Sequence, residues 1–520
     1  MTLEDRAEQG FTTDQDVAVD SQATTDERSD TLAPDALLVD QAPPQGTVVA
    51  PPAEDSVVLV HEPDLSVLDV RPGPGRPREY HFPRFERAEL DNGLSVVHAH
   101  VPGRALLAAQ LLIPGGGWTE PADQAGVTVL TGRAMPEGTR SRDANEFIEA
   151  TERLGAEVHA DATWETLSAS VEVPRSHFGP ALALLAEMVT EPAFPAEEVE
   201  RLRDERLNDL MQAWADPRRR AERVFPETIY AADTPYSRPL GGIQDTVGSL
   251  DRDAVAARHA QLIDARKATL VVAGDLTGID VEKLAGEHLG GMQAGASSST
   301  NTPAEAAARP GRRVVLVDKP GAPQSELRIG HVGVARKTPD FHALSVLNAI
   351  LGGTFGSRLN RVIREELGYT YGIHSSFDMR SKQGPFAIRT AVETAVTVPA
   401  ILETLRIVRD FRDAEVQNDE LVAARDYLVG VFPLRFESSA QVAAALGGLI
   451  VFDLPDDELD RYRPQVAAIS AADIRSAAIR HIRPDELSIV VVGDAHVVET
   501  PLRDAGLGEV TLVPYEAAAG

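Results

Sequence analysis

Thirteen histidines and no cysteine narrow the chemistry this chain could perform. Without a thiol there is no disulfide, no thiolate nucleophile and no thiolate metal site. No histidine stands in an H-x-x-E-H or H-E-x-x-H arrangement, which would bring two metal ligands and a general base onto one helix face. His98 and His100 fall two apart on one face of an expected strand, a spacing that can chelate a cation. They lack a nearby third ligand, so they read as polar side chains on a solvated face. There is no G-x-S-x-G elbow for an esterase and no G-x-x-x-x-G-K-[ST] loop for a nucleotide phosphate. The glycine-containing stretch 351–359 (LGGTFGSRL) lacks the lysine of a phosphate loop and reads as a turn into a helix. The segment 364–373 (REELGYTYGI) carries an arginine and two tyrosines. Its Arg364 offers a rigid fork of donors and its Tyr371 a hydroxyl on a stiff ring, both suited to a peptide carbonyl and to the oxyanion that develops from it. Taken by residue type alone, Arg364 reads as a solvated helix residue and Tyr371 as a core aromatic.

The elements around these residues come in two matching sets. The run 96–103 (VVHAHVPG) recurs at 314–321 (VVLVDKPG), an offset of 218, and 269–275 (TLVVAGD) recurs at 488–494 (SIVVVGD), an offset of 219. Two independent segments at nearly one offset indicate a duplicated domain, each half opening and closing on a β-branched strand. Between those strands lie amphipathic helical runs such as 181–189 and 398–405, while 374–392 reads as adjacent strands. The expected fold class is α+β, with helices packed on antiparallel-rich sheets.

Residues 1–80 are rich in Asp, Thr, Ala and Pro and carry 17 acidic and 5 basic side chains, so a disordered acidic tail is expected there. A second low-complexity stretch divides the rest, giving a domain at 81–290, a flexible linker at 291–312 and a domain at 313–516. The net charge of −30 argues against nucleic acid and against anionic membrane as partners. An acidic body attracts basic peptides or simply keeps the protein soluble. The N-terminus lacks a basic, apolar leader and no apolar run approaches the ~18 residues of a membrane span, so a cytoplasmic protein is expected.

Several segments carry a resemblance. The run 90–97 (LDNGLSVV), the segment 147–158 (FIEATERLGAEV) and the segment 194–201 (FPAEEVER) are similar to the insulinase/pitrilysin family of zinc peptidases, of the mitochondrial processing peptidase-like kind. Where that family carries H-x-x-E-H, this chain has Val129, Gly132 and Arg133 within 126–139 (GVTVLTGRAMPEGT). Asp209, 76 residues beyond Arg133, stands about where the family places its third ligand, a glutamate, and reads here as an ordinary helix-surface acid. A zinc site needs three or four converging N, S or O ligands, so no metal and no cofactor is expected in this chain. The segment with Arg364 and Tyr371 resembles the family's R-E-x-x-G-x-x-Y, in which both side chains face a peptide-binding chamber.

The resemblance implies two homologous halves, each of two α+β subdomains, in a clamshell around that chamber. It also implies a heterodimeric endopeptidase in which this chain is the subunit without zinc. Arg364 and Tyr371 would be its catalytic residues, and a homologous partner would bring the zinc to bear on a peptide or small unfolded protein. A catalytically inactive scaffold and a stand-alone peptide-binding protein are the alternatives.

Overall fold

The computed structural model describes residue 75, residues 78–295 and residues 305–514. The tail expected at 1–80 and the centre of the expected linker fall largely outside the described residues. The described residues begin a little before the expected boundary at 81. Tyr80 lies parallel to Phe436 at 6.1 Å, Phe82 is 6% exposed, and the Phe82 N–H donates to Asp460 Oδ1 at 2.9 Å. At the linker's far end Ala306 is buried and the Arg309 N–H donates to the Ile229 carbonyl at 2.8 Å, so that part of the linker is docked.

Each half forms one six-stranded sheet. The first comprises β1 (Phe85–Glu89), β2 (Ser95–His100), β3 (Leu106–Pro114), β4 (Glu157–Ala162), β5 (Thr166–Pro174) and β6 (Thr269–Gly274), in the order β1-β2-β6-β3-β5-β4. The second comprises β7 (Val314–Asp318), β8 (Gln324–Val332), β9 (Ile373–Phe377), β10 (Pro385–Glu393), β11 (Ser488–Gly493) and β12 (Val510–Val513), in the order β12-β7-β11-β8-β10-β9. The strands with recurring sequence take equivalent places. β2 lies parallel to β6 as β7 does to β11, and β6 and β11 are buried along their whole length, as near-continuous β-branched runs require.

Only the first edge differs between the sheets. β1 reaches β2 through a tight turn in which Gly93 has φ +85° and its N–H donates to the Leu90 carbonyl at 2.8 Å, so the pair is antiparallel. β12 arrives after the helix Ala495–Asp504 and therefore lies parallel to β7.

The helices of the first half that matter here are α1 (Val127–Ala134), α2 (Ala144–Leu154), α3 (Phe178–Thr190), α4 (Ala196–Ala215) and α5 (Pro217–Ile229). The halves exchange helices reciprocally. α5 leaves its own half and packs on β8 and β11, while the helix Ser439–Val451 of the second half packs on β3 and β6. Ala221, Val224 and Phe225 share a cluster with Val332, Ala387, Val490 and Val492. Val442, Ala443 and Leu446 share another with Ala108, Leu112, Val271 and Ala273. The approach is close: a Cβ on Gly330 would stand 2.9 Å from the Phe225 ring, which only a glycine permits. Beside its own core, each half therefore buries the apolar face of a helix of the other.

Among the described residues no helix is long and apolar enough to cross a membrane.

Candidate functional site

The helix that would carry a metal motif is intact, and the reason is local. Glu120, 7% exposed, accepts from the backbone N–H groups of Gly126 at 2.9 Å and Thr128 at 2.7 Å, capping α1 at its start. Burial raises the Glu120 pKa, and those two hydrogen bonds offset only part of the rise. Arg258, 3% exposed, donates from Nε to Thr128 Oγ1 at 2.9 Å and from Nη2 to the Gly115 carbonyl at 2.6 Å, tying the same end of the helix to the sheet's loops.

The three chemical positions are closed to a metal. Val129 packs against the core of the first half, and Gly132 is buried where an added Cβ would meet Leu167 Cδ1 at 3.2 Å and Asp161 Cα at 3.3 Å. Arg133 reaches Glu205 of α4 at 3.6 Å. Asp209 departs from the expected plain surface acid, since its two oxygens accept from Arg206 and Arg219, each at 2.5 Å. Burial acts to raise the Asp209 pKa, but Arg219 and Arg206 prevail and hold it below the usual carboxylate value. The Arg206 pKa is lowered, by burial first, with Arg219 and Arg133 pressing in the same direction against Asp209. A zinc ion placed here would meet one carboxylate already committed to two guanidiniums, with Arg133 close by, so the residues do not fit the metal. His98 and His100 are also engaged: His98 Nε2 lies 3.8 Å from Glu282, and His100 Nδ1 accepts the Leu276 N–H at 3.0 Å. Among the described residues no group of three His, Cys, Asp or Glu converges as a metal site.

The second half presents the opposite arrangement. Arg364 lies on the π-helical segment Asn360–Glu366, which stops just before Gly368 at φ +65°. Its guanidinium sits over the Phe355 ring at 4.2 Å and over the Tyr371 ring at 5.3 Å, held by cation–π attraction between two aromatic faces. Tyr371 precedes β9 by two residues and is 92% exposed. Its neighbours are pinned. Thr370 Oγ1 donates to the Ala391 carbonyl at 2.7 Å and accepts from Thr390 Oγ1 at 2.9 Å, and the Ile373 N–H donates to Asn360 Oδ1 at 3.2 Å. A solvent-facing tyrosine is thus carried on a backbone fixed at both sides.

Both residues line a cleft of about 1050 Å³ whose walls come from β8, β9 and β10 and from α5. Glu222 of α5 accepts from Arg328 Nε at 2.7 Å and Arg389 Nε at 3.1 Å, and Glu326 accepts from Arg328 Nη1 at 2.9 Å. Arg328 is 2% exposed, so this fork ties the first half's helix to the second half's sheet at the cleft wall. Partial desolvation, and after it the charges of Arg389 and Arg328, lowers the His374 pKa below its ordinary value. Sequence reading did not single out Phe355, Arg218, Glu222 or Arg389. Phe355 alone left a signal, a lone aromatic in a glycine turn.

Comparison with known proteins agrees with this fold. Residues 95–242 match a family model described as insulinase (peptidase family M16), and residues 249–428 match one described as peptidase M16 inactive domain. A protein of Helicobacter pylori called a non-peptidase homolog, YmxG, is 24% identical over 74% of this chain and 88% of its own length. A protein of Mycobacterium leprae called an uncharacterized zinc protease is 25% identical over 59% of this chain and 68% of its own. The crystal structure of a peptidase M16 inactive domain from Pseudomonas fluorescens superposes with a TM-score of 0.73 at 24% identity, covering 79% of this chain and 98% of that one. With both sheets, the strand order and the two family matches in agreement, the chain belongs to the insulinase (M16) family of peptidases, as a homologue whose metal-binding positions have been replaced.

Proposed function

We propose that this chain is the subunit without zinc of a heterodimeric zinc endopeptidase. The observation that carries the reading is the contrast within one molecule: metal positions filled by Val129, Gly132 and Arg133, and an Arg364–Tyr371 pair held open on a cleft. A solvated tyrosine hydroxyl and a guanidinium fixed between two rings can donate to a peptide carbonyl and stabilise the charge that grows there. The homologous partner would supply the metal chemistry. Substrate would be a peptide or small unfolded protein, held by strand addition to a sheet edge such as β4 or β9. The working location is the cytoplasm. The test is co-purification with a homologous H-x-x-E-H chain. Cleavage of a quenched fluorescent peptide is expected from the pair and not from this chain alone; cleavage by the isolated chain, or none by the pair, contradicts the reading.

A second reading is favoured by the relative called a non-peptidase homolog. In it the chain is a catalytically inactive scaffold or peptide-binding protein. Full peptidase activity in an Arg364→Ala, Tyr371→Phe double variant of the complex would put that reading ahead.

A further inference from the structure

The cleft's charge runs against the charge of the chain. The sequence carries a net −30, yet Arg218, Arg328, Arg364 and Arg389 face the cleft against only Glu222 and Glu326. Both carboxylates are already used, by Arg328 and Arg389. Arg218, on the exposed first turn of α5, and Arg364 have no carboxylate partner among the described residues. Desolvation first, and then the charges of Arg389, Arg328 and Arg218 against that of Glu222, lower the His374 pKa at the cleft wall. The rest of the lining supplies hydroxyls and aromatic faces: Tyr371 at 92%, Phe355 at 66% and Tyr427 at 53% exposed. Low-dielectric walls around unpaired cations concentrate anions at the site.

We propose that the cleft selects peptides bearing carboxylate groups, which Arg218 binds while the charge of Arg364 adds to the attraction and the aromatic faces take the neighbouring apolar side chains. Guanidiniums bind carboxylates through charge-assisted, often bidentate hydrogen bonds. The carboxylate can come from acidic side chains or from a free C-terminus. The inference rests on reading the cleft as a peptide site, and it adds the class of peptide. An acidic chain would otherwise gather basic peptides by its overall field, so the two effects predict opposite preferences.

The experiment uses the full chain without a partner and measures fluorescence anisotropy of three labelled peptides of about ten residues with the same apolar positions. One carries alternating Asp and Glu with an amidated C-terminus, one is neutral with a free C-terminal carboxylate, and one carries Lys in place of the acids with an amidated C-terminus. At least one carboxylate peptide should bind roughly ten-fold or more tightly than the lysine peptide, the scale of one charge-assisted hydrogen bond. Which of the two does so identifies the source of the carboxylate. Its affinity should fall as salt rises from about 50 to about 500 mM, and Arg218→Glu should weaken it by roughly ten-fold or more. Arg218 is exposed and has no carboxylate partner among the described residues, so the variant should fold; an unchanged melting temperature checks this, with Arg218→Ala as the milder variant. Equal or tighter binding of the lysine peptide would overturn the inference, as would an Arg218→Glu variant that binds the acidic peptide unchanged. Failure of every peptide to bind would overturn it too. The partner-dependent cleavage assay judges the endopeptidase reading separately, because a complex that cleaves basic peptides would keep that reading and discard this one.

Discussion

The two halves share a sheet but have spent their charges differently. In the first half, around α1, charged groups are satisfied inside the molecule: Arg133 turns to Glu205, and Asp209 is shared by Arg206 and Arg219. In the second half, Arg364 leans on aromatic rings and Tyr371 stands in solvent. A functional group must be left with something to bind, and a structural one must not. By that criterion the α1 region is framework, while the cleft beside β9 keeps groups that are free to bind.

The comparison can be broken most severely at the shared packing. Phe225 of the first half fills the space over Gly330 of the second, so Phe225→Ala should destabilise the whole chain by about 3–5 kcal/mol, in one transition rather than one per half. Chemical denaturation checks this; two separate transitions would show that the halves are independent after all.

A second test returns the lost ligands. The combined Val129→His, Gly132→Glu, Arg133→His variant should hold no stoichiometric zinc, because the third position is Asp209 in the grip of two arginines. It should also lose at least the roughly 1–3 kcal/mol of an overpacked site, since the new Cβ at position 132 presses on Asp161 and Leu167. Elemental analysis and thermal melting read both. One tightly held zinc with undiminished stability would show that the first half had kept its site.

The smallest of these effects concerns pH and sharpens the contrast between sheets. At the place of Ile113 in β3, the second sheet has His331 in β8, 3% exposed, with Nδ1 on the Val332 carbonyl at 2.9 Å and Nε2 accepting the Arg483 N–H at 3.2 Å. Burial, then the Arg483 charge, pushes its pKa from 6.5 down to about 3. The unfolded chain therefore binds the proton first, and stability present above about pH 6.5 is lost as pH falls towards 3. His331→Gln cannot titrate, so it should remove roughly 1–2 kcal/mol of the loss between pH 6.5 and 5, a range in which ordinary carboxylates stay ionised. Melting curves of both proteins across that range test it; parallel slopes would mean that His331 is not the titrating group.

Much of the fold was legible because the signals were local. The recurring valine runs named β2, β6, β7 and β11 and their equivalence, and the family resemblance carried the sheet architecture. The exchange of α5 and the helix Ser439–Val451 was not legible, since an amphipathic helix shows that it has a buried face but not which sheet buries it. Arg364 and Tyr371 were named from their segment, yet their setting depends on Phe355, nine residues before the arginine, and on Arg218 and Glu222, more than 130 residues away. Asp209 was underestimated for the same reason: Arg219 reaches it from the next helix.

The most direct measurement is the catalytic rate of the reconstituted complex with Tyr371→Phe in this subunit. The account predicts a fall of roughly 10²–10³, the cost of one oxyanion donor, with subunit association and melting temperature unchanged because the ring is 92% exposed and phenylalanine keeps its face beside the Arg364 guanidinium. A full catalytic rate with phenylalanine at that position would contradict it.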